Sequence, residues 1–174
     1  YSYIFHLAAI IGVSYVTKNP YSVLTENISM LKNIIEAAKT QNRLSRFFFS
    51  STSEVYAGTL EKFDIPIPTP EDTPLTSSNL EDARSSYMLS KIYGEAMCHH
   101  SGLPFTIFRP HNVYGPRMGM SHVIPEQLFK AHNSSENQTI EVFSPSHTRS
   151  FCFIDDAVEL MYRLLDDKCN KLVF

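Results

Sequence analysis

Three short apolar runs, separated by stretches of helical period, restrict the folds open to this chain more than any other feature. They are YIFHLAA (residues 3–9), LSRFFFS (44–50) and PFTIFRP (104–110). The first ends in small residues, the mark of a buried parallel strand. Between the first two runs, Pro20 suits the first turn of a helix. Val23, Leu24, Asn27, Ile28, Leu31, Ile34, Ile35 and Ala38 then recur at helical spacing. A second helix is predicted over residues 85–100, ended by Gly102 and Pro104. Strands alternating with helices predict an α/β fold with a doubly wound parallel sheet.

Between the second strand and that helix lies a long loop, predicted over residues 51–84. Its IPIPTPEDTP segment excludes regular structure, because proline removes donors and bars the preceding residue from helix. A loop this long in a compact domain is usually functional. Beyond the third strand, the pattern predicts a helix at 123–131 and strands at 140–143 and 151–153. A helix capped by Asp155 is predicted to reach about residue 165, with another strand starting at KLVF. No glycine-rich G-x-G-x-x-G turn occurs, and the six glycines stand singly. A strand opens the chain and another begins as it stops. The expectation is therefore an incomplete sheet, an internal piece of a longer chain, whose apolar edge needs cover.

Composition removes several classes of function. Net charge is −3 with no basic stripe, which argues against nucleic acid. No apolar run approaches the roughly 20 residues of a membrane span, and the opening residues lack the form of a signal peptide. Three cysteines without metal-like spacing fit a reducing, cytoplasmic compartment and no metal site. Cys98-His99-His100 reads as a helix end, since adjacent residues point to different faces. Sequons at Asn133 and Asn137 read as chance.

The chemistry centres on SYMLSK, which places Tyr87 and Lys91 four residues apart on one helix face. An ammonium beside a phenol favours phenolate and is expected to draw the tyrosine pKa down from near 10. Such a tyrosine can take a proton from a sugar hydroxyl as the carbon gives up a hydride. By itself the pair arises readily by chance. The second element is FFFSSTSEVYAG, where a strand ends in four hydroxyl residues followed by Glu54. The carboxyl end of a parallel strand faces the ligand crevice. A hydroxyl there can hold a reacting sugar oxygen, and Glu54 can act as acid or base.

HLAA, SSTSEVYAG, SYMLSK, FRPHNVYGP and RSFCFIDDAVEL stand in an order and spacing that resemble the extended short-chain dehydrogenase/reductase family, across essentially the whole chain. That family includes NAD-dependent nucleotide-sugar epimerases, dehydratases and decarboxylases. The resemblance implies a Rossmann-like fold with residues 1–111 as the second half of an NAD-binding domain carrying the catalytic groups. Residues 112–150 would belong to a substrate-binding region, and 151–174 would return to the Rossmann domain. It makes Thr52 the hydroxyl partner of the sugar, Tyr87 the base, and Lys91 the holder of the nicotinamide ribose. Leu7, Ala8, Ala9, Ser50, Ser51, Pro110 and His111 would line the cofactor. Asn112 and Arg149 would reach the diphosphate of a nucleotide sugar, and Val123 would pack beside its base. Asp156 reads as structural. The missing glycine-rich turn is a departure that predicts poor NAD binding by these residues alone.

The family's members share oxidation at sugar C4 to a 4-keto intermediate. An epimerase or general epimerase/dehydratase ranks first. Glu54, two residues after the catalytic hydroxyl, keeps a UDP-glucuronate decarboxylase or GDP-mannose-type dehydratase open. Ser53 stands where dTDP-glucose dehydratases carry an Asp. A non-catalytic NAD-binding scaffold is the reading of another class. The resemblance also implies a homodimer, paired through the helices predicted near 20–39 and 85–100.

Overall fold

The structure is a computed structural model that describes residues 1–174 other than Ser78 and Phe143. It divides into two units: residues 1–110 with 163–174, and residues 111–162.

In the first unit, β1 (Tyr3–His6), β2 (Arg46–Ser50) and β3 (Phe105–Phe108) form a parallel sheet in the order β1-β2-β3. The register sets Phe5 beside Phe48, and Phe49 beside Ile107. Phe47, Phe48 and Phe49 are all at most 2% exposed, so the middle strand is covered on both faces, as its unbroken apolar run requires. Burial of each such side chain stabilises the fold by about 1.5–3 kcal/mol. Phe48 stacks on Phe5 at 4.3 Å between ring centres. Phe47 and Phe49 join Leu31, Ile35, Ala38, Cys98, Phe105 and Ile107 in one core. The strand expected at KLVF is reduced to a parallel bridge between Val173 and Ile107.

The helices of this unit are α1 (Val13–Lys18), α2 (Pro20–Lys39), α3 (Ala57–Lys62) and α4 (Ser85–His100). On α2, Val23, Asn27, Leu31, Ile35 and Ala38 of the stripe read from the sequence are buried, and Leu24, Ile28 and Ile34 are half-buried. That stripe packs α2 along α4. Gly102 follows α4 with φ +79°, a left-handed position suited to glycine. The loop expected over 51–84 is shorter than predicted, because its first part is helical. Thr52 caps a 3-10 turn (Ser53–Tyr56) by accepting the Glu54 N–H at 3.3 Å, and α3 continues from it. Thr59 on α3 then anchors the proline-rich remainder, donating to the Pro74 carbonyl at 2.6 Å.

The second unit contains β4 (Asn112–Tyr114), α5 (Val123–Asn133), β5 (Phe151–Phe153) and most of α6 (Ile154–Arg163). β4 and β5 pair in parallel, with Val113 beside Cys152. The strand expected over 140–143 is absent at residues 140–142, and Phe143 lies outside the described residues. Asp155 falls in the first turn of α6, which starts one residue before it, rather than at a cap. Among the described residues, no helix is long and apolar enough to cross a membrane.

Candidate active site

The carboxyl ends of β1, β2 and β3 bring Leu7–Ala9, Ser50–Thr52 and Pro110 into one unit with α4. The ladder between β2 and β3 continues past the strands. Ser51 N–H donates to Phe108 O at 2.9 Å, and Ser53 N–H to Pro110 O at 3.1 Å. Leu7 and Ala8 are exposed and Ala9 half-buried, while Ser51 and Thr52 are buried. The expected residues of this unit therefore sit on one rim of one sheet.

Lys91 is 4% exposed, and its ammonium donates to the Ser50 carbonyl at 2.7 Å. The ammonium also lies 5.1 Å from the centre of the Phe49 ring and 5.7 Å from that of Tyr87. Burial pulls the Lys91 pKa down to about 8, since a charged ammonium is costly away from water. The Thr52 side chain beside Tyr87 favours the phenolate, yet the Tyr87 pKa is pushed up to about 12. Burial is the first cause and the nearby Glu54 charge the second. The expectation that Lys91 would draw Tyr87 below 10 is thus overturned for the chain by itself. Desolvation of the phenolate and the Glu54 charge outweigh the lowering effect of Thr52. Glu54 is half-exposed and makes a loose ion pair with Arg84 at 3.9 Å, just before α4.

Two residues sharpen this geometry beyond what the motifs predict. Asn27, read as one position of an apolar stripe, is a buried clamp. Its Oδ1 accepts the Ile10 N–H at 2.7 Å, and its Nδ2 donates to Ile10 O at 3.2 Å and Ser90 Oγ at 3.4 Å. It ties the segment after β1 to the turn of α4 next to Lys91. The only available signal was a polar residue at a core position. His6, at the end of β1, has its pKa lowered by burial first and by the Lys91 charge second.

The remaining predicted residues belong to the second unit. His111 is exposed. Asn112 opens β4, and its Nδ2 donates to Ser150 O at 3.0 Å. Val123 starts α5 and is exposed. Arg149 is exposed, with Nη1 donating to its neighbour's carbonyl, Thr148 O, at 2.7 Å. Asp156 is exposed in the first turn of α6.

A carboxyl-end rim carrying a buried lysine, a tyrosine one turn before it and a threonine hydroxyl beside that tyrosine suits proton transfer beside a bound cofactor. Comparison with known proteins points the same way. Residues 1–173 match the family described as NAD dependent epimerase/dehydratase. A UDP-N-acetyl-alpha-D-glucosaminuronate decarboxylase of Bacillus cytotoxicus is 31% identical over 173 residues, which is 96% of this chain and 51% of that protein. UDP-glucuronate 4-epimerase 6 of Arabidopsis thaliana is 29% identical over 95% of this chain and 35% of its own length. The solved UDP-glucuronic acid 4-epimerase of Bacillus cereus, in complex with UDP-glucuronic acid and NAD, superposes with a TM-score of 0.79. It is 28% identical, over 99% of this chain and 52% of that one. The chain thus spans about half the length of the first of these curated relatives.

Proposed function

The chain belongs to the NAD-dependent epimerase/dehydratase family, and we propose that it carries the catalytic part of a nucleotide-sugar epimerase or dehydratase that works through oxidation at sugar C4. The observation that carries this reading is the group formed by Thr52, Tyr87 and Lys91 at the carboxyl end of the sheet. A pure cofactor-binding scaffold has no need to keep these three groups together.

NAD fits the donor set. An ammonium has three N–H donors; one goes to Ser50 O, which leaves donors suited to ribose hydroxyls. Leu7, Ala8, Ala9, Ser50, Ser51, Pro110 and His111 are the residues assigned to line it. When bound, the nicotinamide accepts and returns a hydride and brings positive charge to the rim. Tyr87 then serves as the base: its oxygen takes the proton of the C4 hydroxyl and later gives it back. Thr52, beside Tyr87, is assigned to hold that hydroxyl with its own side-chain oxygen. Asn112 and Arg149 are assigned to the diphosphate, a task suited to a guanidinium fork, and Val123 to the base.

Glu54 supports a second reading. A carboxylate whose charge is felt at Tyr87 is an extra acid or base that a plain 4-epimerase does not require. Its presence favours a uronate decarboxylase or a dehydratase that acts on the keto sugar. We also assign a homodimer through α2 and α4, where Tyr21 and Tyr93 are exposed, and a cytoplasmic location, in keeping with three unpaired cysteines.

The test is to supply the intact protein with NAD and UDP-, GDP- and dTDP-sugars, UDP-glucuronate included. A new epimer or keto product is expected. Loss of carbon dioxide from UDP-glucuronate would select the decarboxylase, and Glu54→Gln should then stop that loss while C4 oxidation survives. NAD binding without any new sugar product would turn the reading to a non-catalytic scaffold.

A further inference from the structure

The Arg109 guanidinium and the Glu95 carboxylate form a forked pair, with N···O distances of 2.9 and 2.6 Å, and their side chains are 6% and 7% exposed. Each partner has further work. Glu95 Oε1 also accepts the Ser51 hydroxyl at 2.5 Å. Arg109 Nη1 donates to the Tyr56 hydroxyl at 2.6 Å and to the Glu71 carbonyl at 2.8 Å. The guanidinium also lies 4.9 Å from the centre of the Tyr56 ring. One buried pair therefore touches α4, the end of β3, the end of β2, the 3-10 turn and the proline-rich loop.

A buried ion pair is weak evidence for stability, since well-packed apolar groups often serve as well or better. Charges do give what apolar groups cannot, namely donors and acceptors of fixed direction. These are aimed at the two ends of one segment. Ser51 immediately precedes Thr52, and Tyr56 stands two residues after Glu54 in the same turn. Between them are the Thr52 hydroxyl beside Tyr87 and the carboxylate whose charge Tyr87 feels.

We propose that Tyr56 is a positioning residue: gripped by the buried Glu95–Arg109 pair, it fixes the turn that presents Thr52 and Glu54 to Tyr87. The proposal rests on the reading of the site given above. It also couples that turn to the loop, because Arg109 holds the Glu71 carbonyl with the same nitrogen.

Tyr56→Phe in the intact protein is the decisive variant, because it removes one hydroxyl and leaves the ion pair whole. The expected result is a kcat about ten-fold lower, since small misplacement near the reacting groups is costly. KM for the nucleotide sugar and for NAD should stay within about two-fold, because the groups assigned to bind them are untouched. A residue that only adds stability would lower the melting temperature and leave kcat alone, and that outcome overturns the proposal. Amide exchange over residues 52–56 gives a readout independent of turnover, and it should quicken in the variant while α4 stays protected. Unchanged exchange there also overturns it. A wild-type protein that turns over no nucleotide sugar would defeat the functional reading alone, and the exchange result would still decide the role of Tyr56.

Discussion

The Lys91 ammonium lies 5.7 Å from the centre of the Tyr87 ring but gives its hydrogen bond to the Ser50 carbonyl, at 2.7 Å. The lysine is thus fixed by the strand end rather than by the tyrosine it is assigned to tune. Lys91→Met keeps much of the apolar stem and loses the charge and all three donors. It is expected to weaken NAD binding by ten-fold or more and to cut turnover further, because ribose contacts and the field at Tyr87 disappear together. Fluorescence titration with NADH and steady-state kinetics check this. A variant that binds and turns over like wild type would remove Lys91 from the site.

Stability should depend on alkaline pH in two opposed ways. Lys91 has its pKa lowered from 10.5 to about 8 in the fold. The unfolded chain then binds the extra proton between about pH 8 and 10.5, so this group makes stability rise with pH across that window. Tyr87 has its pKa raised from 10.0 to about 12. Here the folded chain holds the extra proton, so stability falls as pH climbs from about 10 to 12. Urea melts of wild type, Lys91→Met and Tyr87→Phe across pH 7–11.5 separate the two. The wild-type advantage over Lys91→Met should grow from pH 8 upward, and its advantage over Tyr87→Phe should shrink above pH 10. A flat difference in either comparison would mean that the group in question is not desolvated.

Legibility from sequence followed the range of the interactions. The three strands of the first unit could be read as short apolar runs, α2 as an apolar stripe at helical spacing, and α4 from the Gly102 and Pro104 that end it, each signal lying within one segment. Helices α1 and α3, of six residues each, are too short to show a period. The three-residue strand β4 exists through its pairing with β5, some forty residues on. Tyr87 and Lys91 could be proposed because their spacing is local, whereas Thr52 was singled out from its strand-end run of hydroxyl residues only by the family resemblance. Asn27 and the Glu95–Arg109 pair were missed for the opposite reason. A polar residue in an apolar stripe looks like a flaw until its partners, Ile10 and Ser90, are known. The direction of the Tyr87 shift was also out of reach, since spacing predicts the neighbouring cation but not the burial that is the first cause of the shift.

Gly94 allows the helix that carries Lys91 to lie close on the sheet. A Cβ added there would stand 2.5 Å from Phe49 Cζ and 2.9 Å from Leu31 Cδ2. Two effects of Gly94→Ala oppose each other. Alanine favours helix by about 1 kcal/mol over glycine in a helix interior, whereas overpacking a filled core costs about 1–3 kcal/mol. Overpacking should win, because Phe49 and Leu31 are each only 2% exposed and belong to the same core, with no open side to move into. The strain would not remain structural. Phe49 is the ring beneath the Lys91 ammonium, at 5.1 Å, and it directly precedes Ser50, whose carbonyl holds that ammonium. Gly94→Ala is therefore expected to lower the denaturant midpoint and to weaken NAD binding in the same variant, while Gly102→Ala, well away from the rim, should affect stability alone. A midpoint that rises in Gly94→Ala would show that α4 can lift from β2 without cost, and the close seating of helix on strand would then have no bearing on the placement of Lys91.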